Sequence, residues 1–111
     1  MGSDQLGEEQ FLYLTTAGRR SGLPRQIEIW FTALDGRYYL IAEHGERANW
    51  VRNIRREPQV SFQVGWRSFT GRARVVEEEE VKLCAQVRGL SERKYGWSSG
   101  LVVELVPETA G

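Results

Sequence analysis

Short runs in which apolar and polar residues alternate occur six times along this chain, and brief turn sequences separate several of them. A period of two places successive side chains on opposite faces of a β-strand. Because short turns join antiparallel neighbours, the pattern favours an antiparallel sheet. The predicted strands are residues 10–16, 25–33, 37–43, 59–64, 67–76 and 100–106.

Two further segments have helical spacing. Residues 47–57 predict a short helix that ends at Pro58, because proline cannot continue a helix. Residues 77–89 predict a second helix with an acidic first turn, followed by an irregular stretch over residues 91–99. Six strands and two short helices predict a mainly β fold, an antiparallel barrel or sandwich with helices at its ends. Gly71 inside a long strand indicates a bulge or a corner.

The length and the charge limit what the chain can be. Its 111 residues fit a single domain, which we place at residues 10–107 after a polar, flexible lead-in over residues 1–9. Fifteen basic and fifteen acidic residues cancel, so an anion site requires local clustering. Eleven arginines precede position 75, and an acidic block follows at residues 77–80. A site for an anionic ligand is therefore expected in the first two thirds of the chain.

Two further features of the sequence predict the cellular compartment. A single cysteine, Cys84, excludes an internal disulfide framework and fits a reducing cytoplasm. No apolar run approaches the length that spans a membrane, and residues 1–10 do not resemble a signal peptide. A cytoplasmic protein without a transmembrane segment is expected.

The connection between the first two predicted strands concentrates glycine, hydroxyl and positive charge. Gly18 and Gly22 can turn successive backbone N–H groups toward one point, and guanidinium groups bind phosphate or carboxylate through paired hydrogen bonds. An ordinary solvated turn has a similar composition and is the alternative. The loop predicts an anion site formed by Arg19, Arg20, Ser21, Gly22 and Arg25.

Few groups in the sequence could catalyse a reaction by themselves. His44 and Cys84 are the single histidine and cysteine, and neither has a partner at metal-ligand spacing. Neither a nucleophile elbow nor a phosphate-loop motif occurs. We therefore predict no catalytic side chain and no metal, which favours a cofactor that carries the reaction. His44 either donates to a cofactor or substrate, or is an ordinary surface residue.

Two tryptophans extend the predicted site beyond the loop. Trp50 and Asn53 lie three residues apart on the first helix and can lie over a cofactor ring. Trp30 lies five residues beyond Arg25, about 17 Å at the rise of a strand, which is comparable with an extended phosphate-to-ring cofactor. The alternative is that both tryptophans are core or surface residues.

Together, these segments carry a family resemblance. The chain resembles the deazaflavin-dependent nitroreductase family in three segments. They are the loop sequence Leu-Thr-Thr-Ala-Gly-Arg-Arg-Ser-Gly-Leu-Pro-Arg at 14–25, the Asp35-Gly36 hairpin, and Ala-Asn-Trp-Val-Arg-Asn-Ile-Arg at 48–55 with Pro58. Members of this family are split β-barrel oxidoreductases related to the pyridoxamine-phosphate-oxidase flavoproteins. The resemblance covers residues 14–76 and implies a six-stranded antiparallel split barrel that binds the deazaflavin coenzyme F420. It leaves open whether the chain forms a homodimer.

The resemblance also implies a reaction and a set of site residues. The expected reaction is hydride transfer between F420 and a small conjugated or aromatic acceptor. We expect Trp30, His44 and Tyr95 to border that acceptor. The coenzyme would contact Arg19, Arg20, Ser21, Gly22, Arg25, Trp50 and Asn53.

Two alternatives remain at this point. One is an oxidoreductase on the same barrel that uses flavin mononucleotide (FMN). The other is not an enzyme: a cofactor carrier, or a barrel that binds single-stranded nucleic acid in a stacking groove formed by Trp66, Phe69 and Trp97. The zero net charge argues against the nucleic-acid reading.

Overall fold

The computed structural model describes residues 6–110, and this part of the chain forms seven strands and two α-helices. The strands join one antiparallel sheet in the order β2-β1-β5-β6-β7-β4-β3. The strands are β1 (Leu12–Ala17), β2 (Pro24–Ile29), β3 (Thr32–Leu34), β4 (Arg37–Ala42), β5 (Gln59–Val64), β6 (Arg67–Val75) and β7 (Leu101–Ala110). A 3₁₀ turn (Gly45–Arg47) precedes α1 (Asn49–Arg56), and α2 (Val81–Tyr95) connects β6 to β7.

The predicted strand over residues 25–33 is wrong in one respect, because it breaks into β2 and β3 at Trp30 and Phe31. The backbone of Phe31 bonds to α2 instead of to a strand. Its N–H donates to the Tyr95 hydroxyl over 3.1 Å, and its carbonyl accepts from Lys94 Nζ over 3.0 Å. A tertiary contact therefore replaces strand pairing here, and the sheet has seven strands rather than six.

The second helix begins at Val81 instead of residue 77, so the predicted acidic first turn is wrong and the acidic block precedes the helix. The helix also includes residues 91–95, which were expected to be irregular. Gly89 lies inside it, since one glycine costs a helix only about 1 kcal/mol and buried contacts outweigh that cost. Val87 and Ser91 provide such contacts on either side of the glycine. The helix ends at Gly96, which adopts a left-handed φ of 72°.

The last strand also continues beyond its predicted end at residue 106. The pairing of β6 with β7 shifts register between Thr70 and Gly71, which confirms the predicted irregularity at this glycine. A Cβ at Gly71 would lie 2.2 Å from the carbonyl oxygen of Val106, so only glycine permits this approach.

Two apolar clusters hold the fold. The larger fills the concave side of the sheet and includes Leu12, Phe31 and Phe62, with Val51 and Ile54 contributed by α1. The smaller lies between β4, β7 and α2. Each fully buried large side chain contributes about 1.5–3 kcal/mol through removal of its surface from water. The sheet is thus fixed on both faces, and α1 is fixed against β1, where the candidate site lies.

The predicted lead-in, residues 1–9, falls partly outside the described residues. Within the described part, Leu6 is 2% exposed and packs in the larger apolar cluster. In residues 6–110 no helix is both long enough and apolar enough to cross a lipid bilayer.

Candidate functional site

Six of the seven predicted cofactor residues line one cavity of about 560 Å³ between the β1–β2 loop and α1. We call this cavity the arginine pocket. Gly22 does not line it. The residues around it are Thr16, Gly18, Arg19, Arg20, Ser21, Arg25, Gln26, Ile27, Asn49, Trp50 and Asn53.

The loop holds its shape through its own backbone groups. Gly18 N–H donates to the Leu23 carbonyl over 2.8 Å, and Gly22 N–H donates to the Gly18 carbonyl over 2.7 Å. The expectation that these two N–H groups face an anion is therefore wrong, because carbonyls inside the turn already accept them. Gly22 instead supplies the left-handed φ of 74° that the turn requires.

Asn53 joins this loop to α1. Its side chain is buried, its amide nitrogen donates to Thr16 Oγ1 over 3.0 Å, and its oxygen accepts from the Arg19 backbone N–H over 3.2 Å. The same oxygen accepts from Arg19 Nη1 over 3.3 Å. Both ends of the amide are thus occupied within the protein, which sets the position of the loop relative to the helix.

The three guanidinium groups of the loop have no acidic partner. Arg19, Arg20 and Arg25 form no ion pair with any group in residues 6–110. Arg25 packs across the loop, with Nε 3.5 Å from the position of a Cβ at Gly18. The pocket therefore presents a concentrated positive field, and its guanidinium groups are available to a ligand that carries phosphate or carboxylate.

A second cavity, of about 530 Å³, adjoins the first. We call it the aromatic pocket, and Trp50 lines both cavities. Trp30 and His44, two of the predicted acceptor residues, line it as well. Its full lining is Glu28, Ile29, Trp30, Ile41, Ala42, Glu43, His44, Ala48, Trp50 and Trp97.

Tyr95, the third predicted acceptor residue, does not line the aromatic pocket. It stacks on Trp30 with 4.3 Å between ring centroids and 5° between planes, while Trp97 meets Trp30 edge-on at 6.2 Å. The Tyr95 hydroxyl lies 2.8 Å from the Phe31 carbonyl and 2.7 Å from the Gln10 carbonyl, and burial raises the pKa of this phenol. Tyr95 therefore supports the orientation of Trp30.

Trp97, Glu28 and Glu43 were not predicted as acceptor residues. Trp97 reaches the pocket only because α2 continues to Tyr95, which the sequence pattern did not indicate. Glu28 alternates with Ile27 and Ile29 along β2, and strand periodicity placed it on the same face as Trp30, which was the available signal. Glu43 directly follows β4, and its position one residue before His44 was the available signal.

The structure separates the burial of the three rings that the nucleic-acid alternative would combine in one groove. Trp66 is 73% exposed, whereas Phe69 is 8% exposed and packs in the larger apolar cluster. Trp97 lines the aromatic pocket. The three rings therefore do not make one continuous surface on which successive bases could stack.

Known structures share this fold. A FAD-binding protein from Mesorhizobium loti is 17% identical, with a TM-score of 0.77 over 97% of this chain and 88% of its own. A protein from Listeria innocua, described provisionally as a pyridoxamine 5'-phosphate oxidase, is 19% identical, with a TM-score of 0.75 over 98% and 92%. An F420-H2 dependent reductase is 22% identical, with a TM-score of 0.69 over 86% and 93%. These likenesses confirm the predicted mainly β split-barrel class.

A family comparison identifies the chain more closely. Among curated proteins, none matches its sequence significantly. The model of the F420H(2)-dependent quinone reductases matches residues 2–97, most of the chain. This confirms the predicted relationship to deazaflavin-dependent reductases and the predicted coenzyme, F420. The chain belongs to the F420H(2)-dependent quinone reductase family and is an F420-dependent oxidoreductase.

Proposed function

We propose that this protein reduces a small conjugated or aromatic acceptor, with the coenzyme's anionic tail in the arginine pocket and the acceptor in the aromatic pocket. The observation that carries the proposal is the position of Trp50, which lines both cavities. One indole thus separates a strongly cationic cavity from one lined by aromatic and aliphatic side chains. A ligand with a charged tail and a planar ring fits such a junction.

The hydrogen-bond donors of the arginine pocket match the negative charge of F420. F420 carries a phosphodiester and several carboxylates on its tail, so its negative charge exceeds that of a flavin mononucleotide. Arg19, Arg20 and Arg25 offer three guanidinium groups that pair with no carboxylate of residues 6–110. Ser21 Oγ accepts from Leu23 N–H over 3.1 Å, which leaves its hydroxyl proton for an acceptor on the ligand.

The protein's contribution to the reaction is binding and orientation. When bound, the reduced coenzyme supplies the hydride. Trp50 and Trp30 provide flat surfaces that hold rings in place against the apolar part of the aromatic pocket. Asn53 holds the loop at a fixed distance from α1, and Tyr95 holds Trp30. His44 lines the aromatic pocket, and in this proposal its imidazole donates a hydrogen bond to a carbonyl or nitro oxygen of the acceptor.

We also propose that the protein acts in the cytoplasm. Its single cysteine, Cys84, is buried in the smaller apolar cluster, and burial raises the pKa of the thiol, which disfavours the reactive thiolate. No disulfide is needed to hold the fold.

Titration of the purified protein with F420 and with FMN tests the coenzyme assignment. We expect tight binding of F420 and weak binding of FMN, because the loop offers more positive charge than one phosphate requires. Arg20→Ala and Arg25→Ala should each weaken F420 binding roughly tenfold to 100-fold, since each removes a charge-assisted contact. The loss should grow with the length of the glutamate tail.

Arg72→Ala is the matched control, because Arg72 is exposed on β6 and does not line the arginine pocket. It should leave F420 affinity unchanged. Trp30→Ala should alter acceptor preference while F420 affinity is retained. If Arg20→Ala and Arg25→Ala bind F420 as well as the parent protein does, the arginine pocket does not hold the tail.

A further inference from the structure

Two carboxylates stand on the wall of the aromatic pocket. Glu28 and Glu43 are exposed, and both line the cavity. Across residues 6–110 neither is paired with a basic side chain. Within the described part of the chain, no lysine or arginine lines this pocket, and His44 is the remaining ionisable residue on its wall. The cavity therefore carries uncompensated negative charge at its surface.

The adjoining pocket has the opposite character. The arginine pocket is lined by Arg19, Arg20 and Arg25 and by no carboxylate. Since Trp50 separates the two, the electrostatic potential changes sign across a single indole. An anionic group is therefore attracted to one side of Trp50 and repelled from the other.

We propose that Glu28 and Glu43 are specificity residues, which exclude anionic acceptors and admit neutral or cationic planar rings. This inference rests on the function proposed above. The remainder of the wall fits that substrate class, because Ile29, Ile41 and three tryptophans provide an apolar surface for a flat ring. The same two carboxylates prevent the coenzyme's tail from entering the acceptor side, so they also fix the direction in which the coenzyme lies.

Repulsion of this kind gives specificity without tight binding. Both carboxylates are exposed, so solvent and salt screen them, and each contributes a modest factor. We expect a sulfonated ring to bind roughly fivefold to 20-fold more weakly than the neutral ring at low salt. The difference should shrink as ionic strength rises.

Three naphthoquinones that differ only in one substituent provide the test: methyl, sulfonate and trimethylammonium. Binding without coenzyme is measured by quenching of tryptophan fluorescence in the variant R20A/R25A, because Trp50 lines both pockets and a sulfonate bound in the arginine pocket of the parent would quench it as well. KM is measured separately with F420H2. Both Kd and KM should be lower for the cationic and neutral probes than for the sulfonated probe. The Kd values are independent of the effect of the substituent on the reduction potential of the ring, whereas KM equals Kd only where hydride transfer is slower than dissociation.

The double variant E28Q/E43Q should reduce the sulfonate discrimination to within about twofold, because glutamine keeps the size and loses the charge. Glu79→Gln is the matched control, since Glu79 is exposed before α2 and lines neither pocket. It should leave the discrimination intact.

Equal binding of the sulfonated and neutral rings by R20A/R25A, or equal KM values with the parent protein and F420H2, would overturn the charge inference and leave the proposed function standing. Unchanged discrimination in E28Q/E43Q would also overturn it. If the protein binds no F420, the proposed function fails, and the fluorescence titration still decides whether the pocket rejects anions.

Discussion

Arginine serves two different purposes at two ends of this sheet. Around β7, Arg37 and Arg74 both bond to Glu104, a carboxylate whose side chain is 1% exposed. In the β1–β2 loop, Arg19, Arg20 and Arg25 face a cavity and bond to no carboxylate of the described chain. The first cluster neutralises a charge of the protein itself, and the second is not neutralised by any carboxylate of residues 6–110.

The Glu104 cluster is saturated. Its carboxylate accepts from Arg74 Nε over 2.8 Å, from the Tyr39 hydroxyl over 2.8 Å and from Arg37 Nη1 over 3.2 Å. Burial pushes the pKa of Glu104 up, but these hydrogen bonds and charges outweigh it, so the pKa lies below its usual value. Burial and the neighbouring carboxylate raise the pKa of Tyr39 to about 12. Every group here has a partner, so a ligand has nothing to bind.

The largest expected effect follows from breaking that cluster. Glu104→Gln should lower the free energy of unfolding by about 3 kcal/mol, because it removes the charge that two arginines and a tyrosine surround. Urea denaturation measures the loss, and F420 affinity of the folded variant should be unchanged. A loss below about 1 kcal/mol would show that the cluster is not a structural requirement.

The carboxylate of Glu104 also makes the stability of the protein depend on pH. Since the pKa of Glu104 is lower in the folded protein than in the unfolded chain, its contribution is complete above the unfolded value and is lost as pH falls through the folded value. The parent protein should therefore lose stability below about pH 4.5 more steeply than Glu104→Gln does. Thermal melting of both proteins from pH 7 to pH 3 measures the two slopes. Parallel slopes would contradict the assignment.

An intermediate effect is expected at Asn53, which belongs to neither arginine cluster but orders one of them. Asn53→Ala removes the hydrogen bonds to Thr16 and to the Arg19 backbone, and should cost about 1–2 kcal/mol of stability. It should also weaken F420 binding several-fold, because the loop is no longer held against α1. Thr16→Val is the partner variant, which removes only the first bond. Asn53→Ala and Thr16→Val with equal F420 affinities would show that the Arg19 contact does not position the loop.

Much of this arrangement was predictable from local sequence. Strand periodicity located most strands, and the clustering of glycine and arginine located the loop that lines the arginine pocket. The errors occurred where distant contacts decide the outcome. The break at Trp30 depends on Lys94 and Tyr95, more than sixty residues away, and neither residue has a local signal for that role. Asn53 was predicted beside a ligand, while its internal hydrogen bonds depend on the docking of α1 against β1.

Salt concentration should affect the two arginine clusters differently, and this effect should be smaller than that of Asn53→Ala. The guanidinium groups around the arginine pocket are open to solvent ions, so F420 affinity should fall roughly fivefold between low salt and about 0.5 M sodium chloride. The Glu104 pairs involve a buried carboxylate and are screened less. The stability difference between the parent and Glu104→Gln should therefore change little over the same range. F420 affinity that is independent of salt would remove the electrostatic basis of the arginine pocket.

The smallest expected effect concerns a cation of a third kind, Lys94, which is half-buried and bonds to carbonyls instead of carboxylates. Its Nζ donates to the carbonyls of Gly7, Glu9 and Phe31 over 3.2, 2.6 and 3.0 Å, and so ties the start of the described chain to the break between β2 and β3.

Burial lowers the pKa of Lys94 to about 8, and the negative charge of Glu9 opposes that shift. Between pH 8 and pH 10.5 the unfolded chain retains this proton while the folded protein loses it, so stability from this group should rise with pH. The rise should be small, because a neutral amine has only two N–H groups for three carbonyls and solvent screens the site.

Thermal melting of the parent and of Lys94→Arg from pH 8 to pH 10.5 measures this rise in stability, since arginine stays charged throughout the range. Lys82→Arg, on the exposed start of α2, is the control. If the parent gains no stability relative to Lys94→Arg as pH rises, the ammonium form is fully stabilised by its three carbonyls and burial imposes no cost at this position.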